Sequence, residues 1–229
     1  MTEIPHIEAV GLVKSYTMPH GTVEVLKGLD LSIARGESVC IMGASGSGKS
    51  TLMHLLAGLD VPDSGAVRIE GKGIHSWSES RRASFRSRAI GIVFQNYHLL
   101  PDLNVLENAL LPLRALSSRR PSAAQIATVT ERLEHLGLGG RLNHRPVELS
   151  GGEQQRLAVV RALVNDPDML MADEPTGNLD QATGDRLLDD LFRLGAESNR
   201  TLIVVSHDPQ LAERCDRTVR LAADGVAGG

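Results

Sequence analysis

The run Glu37-Ser38-Val39-Cys40-Ile41-Met42-Gly43-Ala44-Ser45-Gly46-Ser47-Gly48-Lys49-Ser50-Thr51-Leu52-Met53-His54-Leu55-Leu56-Ala57-Gly58-Leu59 decides how this chain folds. Glu37 to Met42 is short and mostly apolar, which predicts a buried strand. Leu52, Leu55, Leu56 and Leu59 recur at helical spacing, which predicts a helix. Between the two, the residues from Gly43 to Ser50 satisfy the pattern G-x-x-x-x-G-K-[ST] of a phosphate-binding loop. Gly43, Gly46 and Gly48 let the backbone curl, so that the N–H groups of Ala44, Ser45, Ser47 and Thr51 point at phosphates beside the positive end of the helix dipole. Lys49 places a point charge against the β- and γ-phosphates, and the Ser50 hydroxyl suits Mg²⁺. A plain Gly/Ser-rich turn is the alternative, but it does not require a strand before it and a helix after it.

Working outward, Ile90 to Phe94, Asp168 to Ala172 and Thr201 to Val205 are further short apolar runs. The last two are nearly continuous, as in parallel strands covered on both faces. The class is therefore α/β, a phosphate-loop core with a mostly parallel sheet wrapped by helices. Leu99 to Val164 offers no convincing strand and reads as an inserted helical subdomain, with helices over Ala123 to Leu136 and Gly151 to Val164. Before Gly36, the alternation of Val23, Val25, Leu29, Leu31 and Ile33 predicts a small antiparallel sheet. One domain results, its core from about 1–98 and 165–229 and the helical part from about 99–164. The Gly-rich tail from Ala222 to Gly229 is expected to be mobile.

Composition narrows the functional classes. Of 229 residues, 41% are hydrophobic and 23% charged, which excludes a disordered chain. A net charge of -4 argues against a nucleic-acid binder. Cys40 and Cys215 are far apart in sequence, without metal-ligand spacing, as in a reducing compartment with no disulfide framework. No apolar stretch reaches the ~18 residues that a membrane span requires, and MTEIPHIEAV lacks the regions of a signal peptide. Any membrane location is expected to come through a partner.

Two more elements carry chemistry. Met169-Leu170-Met171-Ala172 ends in Asp173-Glu174, and paired carboxylates at the end of a buried strand are costly unless a cation or water uses them. Asp173 suits Mg²⁺ and Glu174 suits a general base, the alternative being two solvated loop acids. Leu149-Ser150-Gly151-Gly152-Glu153-Gln154-Gln155 contains a capping box, Ser150 to Glu153, at the start of a helix. It also resembles the signature motif of ABC ATPases, at that family's usual spacing before the acidic strand. A capped helix N-terminus with two glycines is an anion site, free to grip the γ-phosphate held by a second subunit.

The resemblance to ABC ATPases covers about Ile7 to Asp224 and implies the remaining roles. Tyr16 matches the aromatic that stacks on adenine. Gln95 matches the glutamine that touches Mg²⁺ and the attacking water and feels the membrane partner. Asp180, in Asn178-Leu179-Asp180, matches the contact of a loop that crosses the dimer interface, and His207 matches the switch histidine on the γ-phosphate. The implied cofactors are ATP, as substrate, and Mg²⁺. The implied assembly is a homodimer with two integral membrane subunits docking near Gln95 to Leu113, peripheral on the cytoplasmic face of the bacterial inner membrane. No nucleic acid is involved.

Within the family the chain is most similar to ATP-binding subunits of lipoprotein-releasing transporters. The supporting runs are His98-Leu99-Leu100-Pro101-Asp102, Leu106-Glu107-Asn108, Asn143-His144-Arg145-Pro146 and Ala172 to Asp180. That resemblance implies a transported lipoprotein that never touches this chain. Asn96-Tyr97 stands where that group has Phe-His, and Gln154 where Arg is commoner. Exporters of macrolides or peptides, and the cell-division ABC ATPase that signals without transport, share much of the pattern. A chromosome or DNA-repair ATPase would need a long coiled-coil insertion between Lys49 and Ser150, and none is present.

Overall fold

The computed structural model describes residues 4–19, 21–116, 120–177, 179–222 and 225–227. In chain order the strands and helices are β1 (Ile7–Met18), β2 (Gly21–Ile33), β3 (Ser38–Gly43), α1 (Lys49–Leu56), β4 (Ser64–Ile69), β5 (Lys72–Gly73), α2 (Glu79–Ala89) and β6 (Ile90–Val93). There follow α3 (Val105–Leu116), α4 (Ala123–His135), α5 (Gly151–Leu163), β7 (Met169–Asp173), α6 (Gln181–Glu197), β8 (Thr201–Val205), α7 (Pro209–Glu213), β9 (Arg217–Ala222) and β10 (Gly225–Ala227).

Every residue of β7 and β8 is buried, as their unbroken apolar runs require of strands covered on both faces. They lie inside a sheet ordered β10-β9-β3-β8-β7-β6, in which all neighbours except β10 and β9 run parallel. Ile41 faces Val205 and Met171 faces Ile203, so the apolar residues fall in register across the sheet. The second sheet, ordered β2-β1-β4-β5, is antiparallel throughout, as the alternation before Gly36 predicts. Between Leu99 and Val164 the described residues form helices and turns only. Val105, Ala109, Val129, Leu133, Leu149 and Leu157 make an apolar cluster of their own there, apart from the clusters on the parallel sheet.

Two expectations need correction, and a third observation adds to the sequence reading. The helix after the phosphate loop does not carry Leu59. It ends at Leu56 because Gly58 takes φ 65°, and the Leu59 N–H closes back on the His54 carbonyl at 2.9 Å, leaving Leu59 43% exposed. The tail is partly ordered: Gly225–Ala227 pairs with Arg220–Ala222 as an edge strand, while Ala223, Asp224, Gly228 and Gly229 lie outside the described residues. The two cysteines, distant in sequence, meet. Cys215 packs on the cluster that holds Cys40, both thiols are free, and the neighbouring Cys40 followed by burial pushes the Cys215 thiol up.

The two sheets are tied by a buried histidine. His6 Nδ1 lies 2.5 Å from Thr201 Oγ1, which also accepts the Gly36 N–H at 3.0 Å. Burial, then the Arg35 charge, holds the His6 ring below its ordinary pKa of 6.5. The unfolded chain therefore takes up the proton first. Stability from this group is complete above pH 6.5 and falls as pH drops towards the depressed folded value, by at most ~1.4 kcal/mol per pH unit. Thermal unfolding at pH 7.5 and pH 5.0 checks this: His6→Asn loses less between the two pH values than the wild type does.

Candidate nucleotide site

The chain passes from β3 into α1 through a loop that only glycine permits. Gly46 and Gly48 take φ of 79° and 91°, in the left-handed region. A Cβ on Gly48 would stand 2.8 Å from Val25 Cγ1, and one on Gly43 would stand 2.7 Å from the Leu221 carbonyl. The loop is thus pressed between β2 and β9, and α1 begins at Lys49 with no side-chain cap on its free N–H groups. Lys49 Nζ donates to the Gly43 and Ala44 carbonyls at 2.9 and 3.0 Å, which holds the ammonium over the loop.

At the end of β7, Asp173 is buried and its carboxyl accepts from the Ser50 hydroxyl. Burial pushes that carboxyl above the ordinary carboxylate range, and the Ser50 hydrogen bond offsets only part of the effect. The sequence places these residues 123 positions apart (173 - 50), yet the fold sets them side by side as an all-oxygen donor pair. Such a pair fits a hard divalent cation, whose charge would relieve the desolvated carboxylate.

Glu174 follows directly, with φ 44°, a left-handed conformation that is unfavourable for a residue with a side chain. Its N–H donates to the Val205 carbonyl at 2.9 Å, and its Oε1 lies 2.8 Å from His207 Nδ1. The carboxylate is mostly buried while the imidazole is 75% exposed, so the pair points from the sheet edge towards solvent. Gln95 stands on the neighbouring strand's exit. Its Nε2 and Glu174 Cβ both lie 3.7 Å from where a Cβ on Gly177 would be.

Tyr16 approaches the same loop from β1. Its hydroxyl donates to Asp60 Oδ2 at 3.0 Å, Thr51 is a second partner, and Lys14 Nζ reaches Asp60 Oδ1 at 3.0 Å. Burial raises the Asp60 carboxyl, but the bonds from Lys14, the Val61 N–H and Tyr16 outweigh it and leave the group below its ordinary range. Lys14 and Asp60 are site residues that the sequence reading missed. No motif marks them, and they lie 46 positions apart (60 - 14).

Ser150, Gly151 and Gly152 lie elsewhere. Ser150 caps α5: its Oγ accepts the Glu153 N–H at 3.3 Å, while Glu153 Oε2 accepts the Ser150 N–H at 2.8 Å. The Ser150 N–H, then the other hydrogen bonds to the carboxylate, hold Glu153 below the ordinary range despite its burial. A Cβ on Gly152 would stand 2.8 Å from Thr183 Cγ2, so α5 and α6 start against each other. Asp180 caps α6 by accepting the Thr183 N–H at 3.1 Å. Its neighbour Asn178 lies outside the described residues.

The residues therefore form two groups. One contains the loop from Gly43 to Thr51 with Tyr16, Gln95, Asp173, Glu174 and His207; the other contains Ser150 to Gly152 with Asp180. Among the described residues no hydrogen bond or ion pair joins Ser150–Gly152 to Gly43–Thr51. None of the described helices is long and apolar enough to cross a membrane.

Comparison with known proteins bears on this arrangement. The family described as ABC transporter matches residues 26–177. An uncharacterized ABC transporter ATP-binding protein of Escherichia coli (strain K12), YbbA, is 49% identical over 94% of this chain and 93% of its own length. A lipoprotein-releasing system ATP-binding protein, LolD, of Geobacter metallireducens is 47% identical over 94% of this chain and 95% of its own. Among solved structures, a dimeric bacterial ABC transporter cassette superposes with a TM-score of 0.90 at 37% identity, covering 96% of both chains. The same cassette in a post-hydrolysis state, bound to ADP and Pi, also gives 0.90.

Proposed function

The chain belongs to the ABC transporter family and is an ATP-hydrolysing cassette, and from that premise we propose that it drives lipoprotein release from the bacterial inner membrane. Two copies stack head to tail, each ATP lying between one copy's phosphate loop and the other's Ser150-Gly151-Gly152. The observation that carries the reading is the division of the site residues into two groups. A capped helix start with glycine N–H groups has no nucleotide to serve within its own chain, and a second copy supplies one.

Tyr16 stacks on the base, Lys49 and the loop N–H groups take the β- and γ-phosphates, and Glu174 accepts the proton of the attacking water. His207 and Gln95 orient the terminal phosphate and that water. Ser50, Asp173 and Gln95 would hold Mg²⁺, which supplies charge neutralisation when bound. Hydrolysis removes the phosphate that joins the copies, so the pair opens. A near-complete swing needs ATP to favour the closed state by roughly 5 kcal/mol. A few charge-assisted contacts of ~1.5–3 kcal/mol each supply that.

Mixing variants tests the shared site. Ser150→Asp keeps a side chain that caps the helix but turns a carboxylate towards the γ-phosphate. Lys49→Ala and Ser150→Asp homodimers are both inactive. A heterodimer of the two has one site with both defects and one with neither. An equimolar mixture therefore regains about a quarter of wild-type ATPase, since half of random dimers are mixed and each has one of two sites intact. A mixture no more active than its parts sinks the two-copy site.

The cargo reading rests on the runs around His98, Leu106, Asn143 and Ala172, together with the similarity to lipoprotein-releasing relatives. The chain would then sit peripherally on the cytoplasmic face, with two membrane subunits docking near Gln95 to Leu113. Asn96-Tyr97, lying in that docking segment, favours a second reading: an exporter of macrolides or peptides, or a cell-division complex that signals without transport. Purifying the chain with its membrane subunits separates these. A large periplasmic domain that binds a lipoprotein carrier supports release, and one that activates wall hydrolases overturns it.

A further inference from the structure

The turn that follows Gln95 is an unusual piece of backbone. Tyr97 and His98 both take left-handed conformations, with φ of 57° and 45°. Two adjacent non-glycine residues in that region are strained unless their surroundings hold them there. The turn is closed by the Tyr97 N–H to the Phe94 carbonyl at 3.0 Å, and by an edge contact between the Phe94 and His98 rings at 4.7 Å. From outside the turn, one side chain grips two of its carbonyls. Arg161 donates through Nη1 to the His98 carbonyl at 2.6 Å and through Nη2 to the Tyr97 carbonyl. The guanidinium fork fits two neighbouring carbonyls, and a cationic donor makes both bonds stronger than neutral ones.

Arg161 stands in the last turn of α5, the helix that Ser150 caps. The same end of α5 is pinned in three further places. Gly91 of β6 lies so close that a Cβ there would press on the Ala162 backbone, with Ala162 C at 3.0 Å. Arg132 Nη1 donates to the Leu163 carbonyl at 2.7 Å. Asn165 Nδ2, just beyond, donates to the Ser87 carbonyl at 2.6 Å. The other end of α5 carries exposed Ser150 and Gly151. At 1.5 Å per residue these ends are roughly 16 Å apart, and an uninterrupted helix moves as a rod over that length.

We propose that Arg161 is a positioning residue that ties the loop after Gln95 to the signature helix, so that a push on the loop by a membrane subunit moves Ser150 against the partner copy's nucleotide. It touches neither nucleotide nor water; it acts through the Tyr97 and His98 carbonyls. The proposal rests on the reading that the Gln95 segment meets the membrane subunits.

The test uses Arg161→Met, which keeps the length and apolar stem, and Arg161→Lys, which keeps the charge. ATP turnover is measured for the isolated chain and for the complex with its membrane subunits in liposomes. With Arg161→Met, the isolated chain's KM for ATP stays within about twofold, while stimulation by the membrane subunits drops at least tenfold. Arg161→Lys, able to reach one carbonyl at a time, recovers part of the stimulation. Hydrogen exchange on the isolated variant supplies a readout that needs no complex. Amides of Tyr97 to Leu99 exchange at least tenfold faster in Arg161→Met, with those of β7 unchanged.

Stimulation like the wild type's overturns the proposal. So does a loss of the same factor in isolated chain and complex, with faster exchange throughout, because that marks a purely structural arginine. Leu100→Asp, which puts a charge on an exposed apolar residue of the docking segment outside the catalytic machinery, is run alongside and separates the underlying reading. If it leaves stimulation intact, the docking assignment is wrong. If it abolishes stimulation while Arg161→Met does not, docking stands and the tie through Arg161 fails.

Discussion

Replacing Glu174 by Gln slows ATP hydrolysis by ~10²–10⁴-fold, the usual scale for loss of a general base, and leaves the chain folded and able to bind ATP. The substitution is isosteric, and the amide oxygen can still accept from His207 Nδ1, now at 2.8 Å from the carboxylate. The left-handed turn at residue 174 depends on the backbone bond to the Val205 carbonyl, which the variant retains. What disappears is the capacity to take a proton from water. On the proposed mechanism the copies separate only when the γ-phosphate is cleaved, so the variant with ATP is expected to accumulate as a dimer. Size-exclusion chromatography with ATP, beside a phosphate-release assay, reads both effects. Turnover within threefold of the wild type removes Glu174 as the base.

Lys49→Ala has the opposite signature, failing at binding. The ammonium is already held over the loop by the Gly43 and Ala44 carbonyls, so little side-chain freedom remains to be lost when phosphates arrive. Removing one charge-assisted contact of ~1.5–3 kcal/mol raises the Kd for ATP by roughly 10- to 150-fold. Lys49→Arg does not restore it, because a planar guanidinium cannot replace a compact ammonium in a loop pressed between β2 and β9. Titration with a non-hydrolysable ATP analogue measures the change. A Kd within threefold of the wild type would show that the loop N–H groups bind the phosphates without Lys49.

The parts of the site that were legible in the sequence are those whose chemistry is local. The loop from Gly43 to Thr51 needs its glycines, lysine and serine at fixed offsets, and the capping box from Ser150 to Glu153 closes within one helical turn. The buried strands β7 and β8 were legible because covering both faces requires unbroken apolar runs. By contrast, α2 escaped notice. Its residues are mostly polar and none is fully buried, only Phe85 and Ala89 lean on the core, and it is held by a Ser78 cap and by Glu79 pairing with Arg82 and Arg86. The helix end at Leu56 was missed because Leu59 continues the apolar spacing, while Gly58 breaks the backbone beneath it.

Sequence alone determined the class of fold, the phosphate loop, the acidic strand end and the capped glycine helix start, since each is a pattern of neighbours that short-range sterics and hydrogen bonding enforce. Tertiary structure alone decided that Ser50 faces Asp173, that Asp60 holds the Tyr16 hydroxyl, that Cys40 meets Cys215, and that Arg161 reaches back to Tyr97 and His98. It also decided that Ser150 stands apart from the loop it resembles a partner for. Pairings of that kind depend on which strands lie side by side and how helices lean on them, and separation along the chain carries no record of either.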